Sequence, residues 1–201
     1  MKKLLFTAAI ITTISGSAFA KTEGNIVGAN VSYVKTNNTY KSSNTDTTAF
    51  GKIEDNQLGF GVNYQYAFNF NNFFVAPEVF AERFSNENTD FLGDTVGVDG
   101  RVGAKVNLGY DINDSFSARI GLGYAGVRYD VDFSKGDLLL GKKKGTEYDF
   151  IYSIGASYKL NANIALNLEY DYQEVDFDTP IPGMVAEANI STVKLGASYQ
   201  F

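Results

Sequence analysis

The feature that most constrains this sequence is a two-residue alternation of apolar and polar side chains. In residues 164–175, for example, Leu166, Leu168 and Tyr170 alternate with polar side chains. Such alternation is the signature of a β-strand with one apolar face. It recurs in eight segments, which are residues 25–35, 57–69, 73–84, 96–111, 116–129, 147–160, 164–175 and 190–201. We therefore predict eight strands.

The segment 73–84 is ambiguous, because large apolar side chains occur on both of its faces. If Glu78 and Glu82 lie on the polar face with the charges of the other strands, Phe74 and Phe80 share that face. We adopt this phase as the prediction.

Short and long connections alternate along the chain. Residues 70–72, 111–115 and 161–163 are short stretches rich in Asn and Asp, which suit hairpin turns. The stretches that we expect to form long polar loops are residues 36–56, 85–95, 130–146 and 174–189. This regularity places all long loops at one end of an antiparallel, up-and-down sheet and all short turns at the other.

The apolar face of these strands must point outwards. The chain has 16 Phe and 13 Tyr, and the interior of an eight-stranded barrel is too narrow to hold so many large side chains. The other face is rich in Gly, Ser and Asn, which fit a narrow lumen. Only a membrane favours a barrel that is apolar outside and polar inside. We predict an all-β fold, an eight-stranded antiparallel up-and-down transmembrane β-barrel; the alternative is a soluble β-sandwich with an aromatic core.

The N-terminus has the pattern of a secretory signal peptide. Lys2 and Lys3 precede an apolar stretch over residues 4–14, and Ala18-Phe19-Ala20 is typical of a cleavage site. Cleavage after Ala20 makes Lys21 the first residue of the mature chain. We predict a signal peptide over residues 1–20 and a barrel domain over residues 21–201; the alternative is that the apolar stretch is a buried helix.

The residue types that are absent exclude many functions. Without Cys or His the chain has neither disulfides nor Ser-His-Asp or Cys-His catalytic groups. The net charge of −6 makes nucleic acid an unsuitable partner. We expect a protein that is not an enzyme and has no cofactor, although a Ser-Lys or carboxylate pair stays open as an alternative.

The C-terminus carries a resemblance to a known family. A terminal Phe201, an aromatic Tyr199 two residues earlier, and apolar Val193 and Leu195 at alternate positions resemble the assembly signal of bacterial outer-membrane barrels. The chain from residue 24 onwards resembles the small OmpA-like and opacity-protein-like surface antigens, a porin family in the broad sense. The resemblance implies a location in the outer membrane of a Gram-negative bacterium. It also implies contact with outer-membrane lipid, and recognition of the last strand by the barrel-insertion machinery.

The polar face carries both signs of charge, and we predict that it forms an ion-pair network inside the lumen. The charged residues assigned to this network are Glu78, Glu82, Asp99, Arg101, Lys105, Arg119, Glu169 and Lys194. Glu147, Asp149, Lys159 and Asp171 share the inward phase. The residue numbers of Glu78 and Lys105, and of Glu82 and Arg101, add up to the same value. One antiparallel register therefore places both pairs side by side.

The predicted loops are the candidate contact surface, because loops on rigid scaffolds carry function. Lys142, Lys143 and Lys144 form a basic run that could meet lipid phosphates or an acidic host glycan, or form a solvated loop tip. Leu138, Leu139 and Leu140 either fold over the barrel rim or bind a host or environmental ligand. We expect a surface antigen, adhesin-like or structural membrane protein; the alternative is a narrow diffusion channel.

Overall fold

The computed structural model describes residues 21–42, 45–85, 89–91, 94–132, 142–178 and 184–201. Within these ranges the chain forms nine strands. In the same residues there is no helix that is long and apolar enough to cross a membrane. The strands are β1 (Gly24–Ser42), β2 (Thr45–Phe70), β3 (Phe73–Phe84), β4 (Thr89–Phe91), β5 (Asp94–Asp111), β6 (Phe116–Asp132), β7 (Lys142–Lys159), β8 (Ile164–Asp178) and β9 (Met184–Gln200).

Eight of these strands close into one antiparallel barrel, which confirms the predicted fold class. The sheet runs in the order β3-β2-β1-β9-β8-β7-β6-β5, and pairing of β3 with β5 closes the cylinder. The short strand β4 lies outside this cylinder and pairs with β5. Closure pairs the backbone of every barrel strand on both sides, which is the condition for crossing a bilayer with strands.

The short turns lie where the sequence predicts them, and Asn side chains build them. The side-chain oxygen of Asn113 accepts hydrogen bonds from the backbone N–H groups of Ser115 and Phe116. Asn161 does the same for Asn163 and Ile164. These Asx turns reverse the chain in few residues.

Over the membrane band, the prediction of which residues face outwards and which face the lumen is correct. Outward residues such as Val31 and Leu195 are about 60% exposed or more, whereas inward Ser32 and Lys194 are buried. The ambiguous segment also follows the predicted phase, because Phe74 and Phe80 are buried in the lumen and Phe73 is exposed. The polar residues therefore line a filled interior, and the apolar residues form the outer band.

The strands continue far into the stretches predicted as long loops, so that prediction is wrong for the described residues 36–42, 45–56, 89–91, 94–95, 130–132, 142–146, 174–178 and 184–189. Strands β1 and β2 pair from Gly24 opposite Ala67 to Ser42 opposite Thr45. Strands β8 and β9 pair as far as Asp178 opposite Val185. A membrane crossing needs only about 9–11 residues per strand, so the barrel extends well beyond the band. Residues 138–140 lie outside the described residues.

In this extension the polarity of the two faces is reversed. Val175 and Phe177 on β8 are buried inside, while Glu174 and Asp176 are exposed outside. The same alternate positions of β8 still face the lumen, because Gln173 and Asp171 below Val175 and Phe177 also point inwards. The outer surface of the extension meets water rather than lipid, so polar residues outside and apolar residues inside are stable there.

Candidate functional site

The centre of the lumen holds a layer of buried charges contributed by five strands. Among the described residues this layer has four acids and four bases. They are Glu78 and Glu82 on β3, Arg101 and Lys105 on β5, Arg119 on β6, Glu169 and Asp171 on β8, and Lys194 on β9. Because the signs balance, we call this set the neutral layer.

The register between β3 and β5 is the one predicted from residue numbers. Glu78 lies opposite Lys105, and Glu82 lies opposite Arg101. The Lys105 Nζ atom is 3.5 Å from Glu78 Oε1, and Arg101 Nε donates to Glu82 Oε2 at 2.5 Å. The sequence thus predicts two of the ion pairs at the level of single residues.

Further contacts join β5, β6 and β9 to β8, and one joins β9 to β3. Arg101 Nη2 is 2.7 Å from Asp171 Oδ2, and Lys105 Nζ is 2.5 Å from Glu169 Oε1. Arg119 Nη2 is 2.8 Å from Glu169 Oε2. Lys194 pairs with Asp171 Oδ2 at 2.5 Å and also with Glu82. Every cation of the neutral layer therefore contacts at least one carboxylate.

An aromatic ring occupies the middle of these charges. The centre of the Phe80 ring lies 5.2 Å from Lys194 Nζ, 5.6 Å from Lys105 Nζ and 5.9 Å from Arg101 Cζ. Cations at this distance are attracted to the ring. Phe80 thus fills the space between Glu78 and Glu82 without leaving the cations unpaired.

Asp99 is not part of the neutral layer, which corrects the prediction. The β5–β6 register shifts between Val98 and Gly100, so Asp99 is the extra residue of a bulge. The bulge turns Val98 into the lumen, where it is buried. Among the described residues Asp99 forms no ion pair, because this one-residue shift removes it from the inward row.

A second layer closes the end of the barrel that carries the short turns. Thr22 donates from its backbone N and its hydroxyl to the Asp111 carboxylate, at 3.1 and 2.7 Å. Lys159 Nζ reaches the same carboxylate at 3.3 Å. Asn69 Nδ2 donates to the carbonyl of Thr22. The segment before β1 is thereby fixed in the mouth, a contact that neither alternation nor charge reveals in the sequence.

A third, apolar layer fills the lumen at the opposite end. The ring centres of Tyr129 and Phe177 are 4.5 Å apart. Gly145 provides room, since a Cβ at that position would overlap the Tyr129 ring. The buried members of this layer are Val34, Phe84, Val98, Val127, Tyr129, Val175, Phe177, Ala188 and Ile190. The continuing alternation through Val175 and Phe177 is the sequence signal for this layer.

Little space remains between these layers. A cavity of about 30 Å³ lies beside Glu78, Phe80, Arg119 and Lys194, and another of about 30 Å³ lies near Thr22. Each has room for one or two water molecules. In the described parts of the chain no group of three Asp or Glu side chains could hold a metal ion. The arrangement is a packed, charge-neutral interior rather than a binding chamber.

The comparisons with known proteins agree with this architecture. Residues 6–201 match the family described as outer membrane protein beta-barrel domain. The chain belongs to this family. Its members reside in the outer membrane of Gram-negative bacteria, which confirms the predicted location.

Several solved structures share the fold of this outer-membrane barrel at low sequence identity. Neisserial surface protein A is 16% identical, with 89% of this chain and 100% of that chain covered and a TM-score of 0.57. The attachment invasion locus protein Ail of Yersinia pestis is 17% identical, with coverages of 89% and 99% and a TM-score of 0.53. OprG from Pseudomonas aeruginosa is 13% identical, with coverages of 90% and 98% and a TM-score of 0.54. No curated protein matches the sequence.

The C-terminal residues of this outer-membrane barrel lie on its lipid-facing surface. Val193, Leu195 and Tyr199 all point outwards from β9 and are exposed. Phe201 is also exposed, and its backbone N donates to the carbonyl of Asn25. The predicted assembly signal is therefore an apolar row on the outside of the last strand.

The other predicted sites are only partly described. Ala18, Ala20 and Leu138 to Leu140 lie outside the described residues, so their predictions are untested. Lys21 precedes β1, and its carbonyl accepts a hydrogen bond from Gln200. Lys142 and Lys143 lie in β7 opposite Asp132 and Val131. Lys144 belongs to the same strand rather than to a loop, and its Nζ is 2.5 Å from Asp130 Oδ2.

Proposed function

We propose that this protein is a non-conducting surface protein of the outer membrane, with its working surface outside the bilayer. One observation carries the proposal: three different layers fill the lumen in series. These are the Thr22–Asp111 contact at the turn end, the neutral layer with Phe80 at the centre, and the apolar layer around Phe177. An ion crossing the barrel would have to displace all three.

The neutral layer is a poor permeation path on electrostatic grounds. Ion-selective pores carry rings of one sign, whereas here each cation is already paired with a carboxylate. The contacts of Arg101 with Glu82 and Asp171 are almost completely buried. Moving one partner aside leaves a buried charge unpaired, which costs about 3–5 kcal/mol. The pairs therefore act as structure.

The extension of the barrel beyond the bilayer supports a role in surface contact. Its outer face presents charged side chains such as Glu54 and Asp176 to water. Two proteins of similar fold are named for surface or attachment roles. We therefore favour a surface antigen or adhesin-like role, with a host or environmental ligand as the partner.

We also propose that the barrel is not an enzyme. A catalytic carboxylate needs access to substrate, but Glu82, Glu169 and Asp171 are buried and each contacts two or more cations. Incubation of the folded protein with generic ester and peptide substrates should release no product above the rate of a detergent blank. Turnover that survives repurification would contradict this part.

A narrow diffusion channel is the competing function, favoured by the water-sized cavities beside Arg119. Planar-bilayer recordings of the refolded full chain separate the two. We expect no stable conductance steps from the wild type. A folded variant that trims all three layers, Phe80→Ala with Asp111→Ala and Phe177→Ala, should conduct, while the outward Phe150→Ala control should not. Reproducible steps from the wild type would overturn the proposal.

A further inference from the structure

The upper edge of the apolar band is marked on each strand by the first polar residue that follows the last apolar residue on the outer face; on β5 the glycine Gly100 takes this place. Above this edge the outer surface meets water, and below it the surface meets lipid tails. The edge residues are Lys35, Asn56, Arg83, Gly100, Arg128, Thr146, Glu174 and Ser191. Outer-membrane barrels have short turns on the periplasmic side and longer connections outside the cell, so we expect this edge to lie at the headgroups of the outer leaflet.

Two arginines on this edge face the same gap. Arg83 on β3 lies opposite Gly100 on β5, and Gly100 lies opposite Arg128 on β6. Neighbouring strands are about 4.8 Å apart, so the two arginine backbones are separated by roughly 10 Å. Gly100 carries no side chain between them, and the backbone of Glu82 and Arg83 packs directly against it, where a Cβ would overlap. Both guanidinium groups can therefore reach one anion centred over Gly100.

These arginines lack the partners that other cations of the outer face have. Lys35 Nζ is 3.0 Å from Glu54 Oε2, and Lys144 Nζ is 2.5 Å from Asp130 Oδ2. Arg83 and Arg128 are exposed, and neither forms an ion pair or hydrogen bond with a described residue. Two like charges at a membrane edge, without a partner among the described residues, are complementary to an anionic headgroup.

The surface directly below the pair is suited to acyl chains. Val102 and Tyr124 are exposed on the outer face of β5 and β6. The Tyr148 ring lies over Gly126, where a Cβ would overlap it. This arrangement gives a continuous apolar wall that ends at Arg128. A molecule that carries both a phosphate and hydrocarbon chains would satisfy both parts.

We propose that Arg83 and Arg128 bind the phosphate group of an outer-leaflet lipid whose chains lie against Val102, Tyr124 and Tyr148. Arginine is suited to this role because its planar fork donates two parallel hydrogen bonds to a phosphate. The site is separate from the lumen and does not depend on whether the barrel conducts. It would orient the barrel in the leaflet and fix its depth.

Native mass spectrometry of the full folded chain in zwitterionic detergent tests the proposal, with bisphosphorylated lipid A as the probe. Each basic contact at a membrane surface contributes about 1 kcal/mol. The double variant Arg83→Gln/Arg128→Gln should therefore bind lipid A about thirty-fold more weakly. The matched control, Lys35→Gln/Lys144→Gln, removes the same charge from cations that already have partners, and should change the affinity less than three-fold.

Two further probes identify the ligand chemistry. Lipid A stripped of its phosphates should bind the wild type no more tightly than it binds the arginine variant. Inorganic phosphate at millimolar concentration should not displace lipid A from the wild type. Equal losses in the arginine and lysine variants would overturn the site, and so would unchanged binding in the arginine variant. Tight binding of inorganic phosphate alone would overturn the lipid assignment. Far-UV circular dichroism verifies that each variant is folded.

Discussion

The substitution Glu82→Gln tests whether the neutral layer is a buried structural network. It removes one charge while keeping the shape that packs beside Phe80. In the wild type the Glu82 carboxylate accepts from Arg101 Nε at 2.5 Å and also pairs with Lys194. The Glu82 side chain is 1% exposed, so water does not replace the lost charge.

The expected cost follows from what remains after the substitution. Arg101 and Lys194 would then share the carboxylate of Asp171, at 2.7 and 2.5 Å, and the layer would carry one excess positive charge. Breaking a buried pair costs about 3–5 kcal/mol. Because Asp171 still partners both cations, we expect a loss of about 3 kcal/mol in the free energy of unfolding.

Guanidinium unfolding in lipid vesicles measures this loss, followed by far-UV circular dichroism because the chain has no Trp. Glu54→Gln is the matched control, since it makes the same change in the exposed pair with Lys35, and should cost less than about 1 kcal/mol. The double variant Glu82→Gln/Lys194→Gln restores neutrality and should recover part of the loss. Equal, small losses for Glu82→Gln and Glu54→Gln would refute the reasoning, because they would mean that the lumen charges are solvated.

Three other predictions concern the remaining layers and the last strand. Phe177→Ala should lower the free energy of unfolding by about 3–5 kcal/mol through a cavity in the apolar layer, and a loss no larger than that of the lipid-facing Phe150→Ala would argue against a packed interior. Asp111→Asn should weaken the contact with Thr22 and speed hydrogen exchange at the Thr22 backbone amide. The exposed Asp114→Asn should leave that exchange rate unchanged. An unchanged rate in Asp111→Asn would show that the contact is not formed. Phe201→Ala should slow assembly by purified barrel-insertion machinery more than Phe73→Ala does, although both side chains are exposed, and equal rates would contradict recognition of the last strand.

Much of the membrane band could be predicted from the sequence, because lipid outside and a narrow lumen inside impose opposite demands on alternate residues. This constraint was strong enough to predict Phe74 and Phe80 inside. The two carboxylates Glu78 and Glu82 on the same strand then fixed the register against β5. Both results depend only on the two-residue period of a strand.

The alternation does not predict the strands of the extension beyond the bilayer, for a physical reason. There the environment outside the barrel changes from lipid to water, so the same strand phase carries the opposite polarity. Glu174 and Asp176 lie on the outer face that carries Tyr170 below them, so the pattern of apolar outward residues ends at Glu174 although the strand continues. The Asp99 bulge is a different case, because one inserted residue leaves the composition of the segment unchanged and shifts only its pairing.

The Thr22–Asp111 contact could not be predicted, because it joins residues 89 positions apart and one of them lies outside every strand. The neutral layer is easier to predict from the sequence, because its acids and bases occupy the inward-facing alternate positions of long strands.

The central claim is that the lumen is closed while the neighbouring outward side chains face lipid, and single-cysteine labelling on β9 tests it most directly. The chain has no Cys. Thr192 is 0% exposed and Val193 is 46% exposed. The Thr192 hydroxyl has no hydrogen-bond partner among the described residues, so replacement by Cys costs little. In lipid vesicles, Thr192→Cys should resist a charged, water-soluble thiol reagent, and Val193→Cys should react only with a lipid-soluble one. Rapid reaction of Thr192→Cys with the charged reagent, in a folded barrel, would contradict the account.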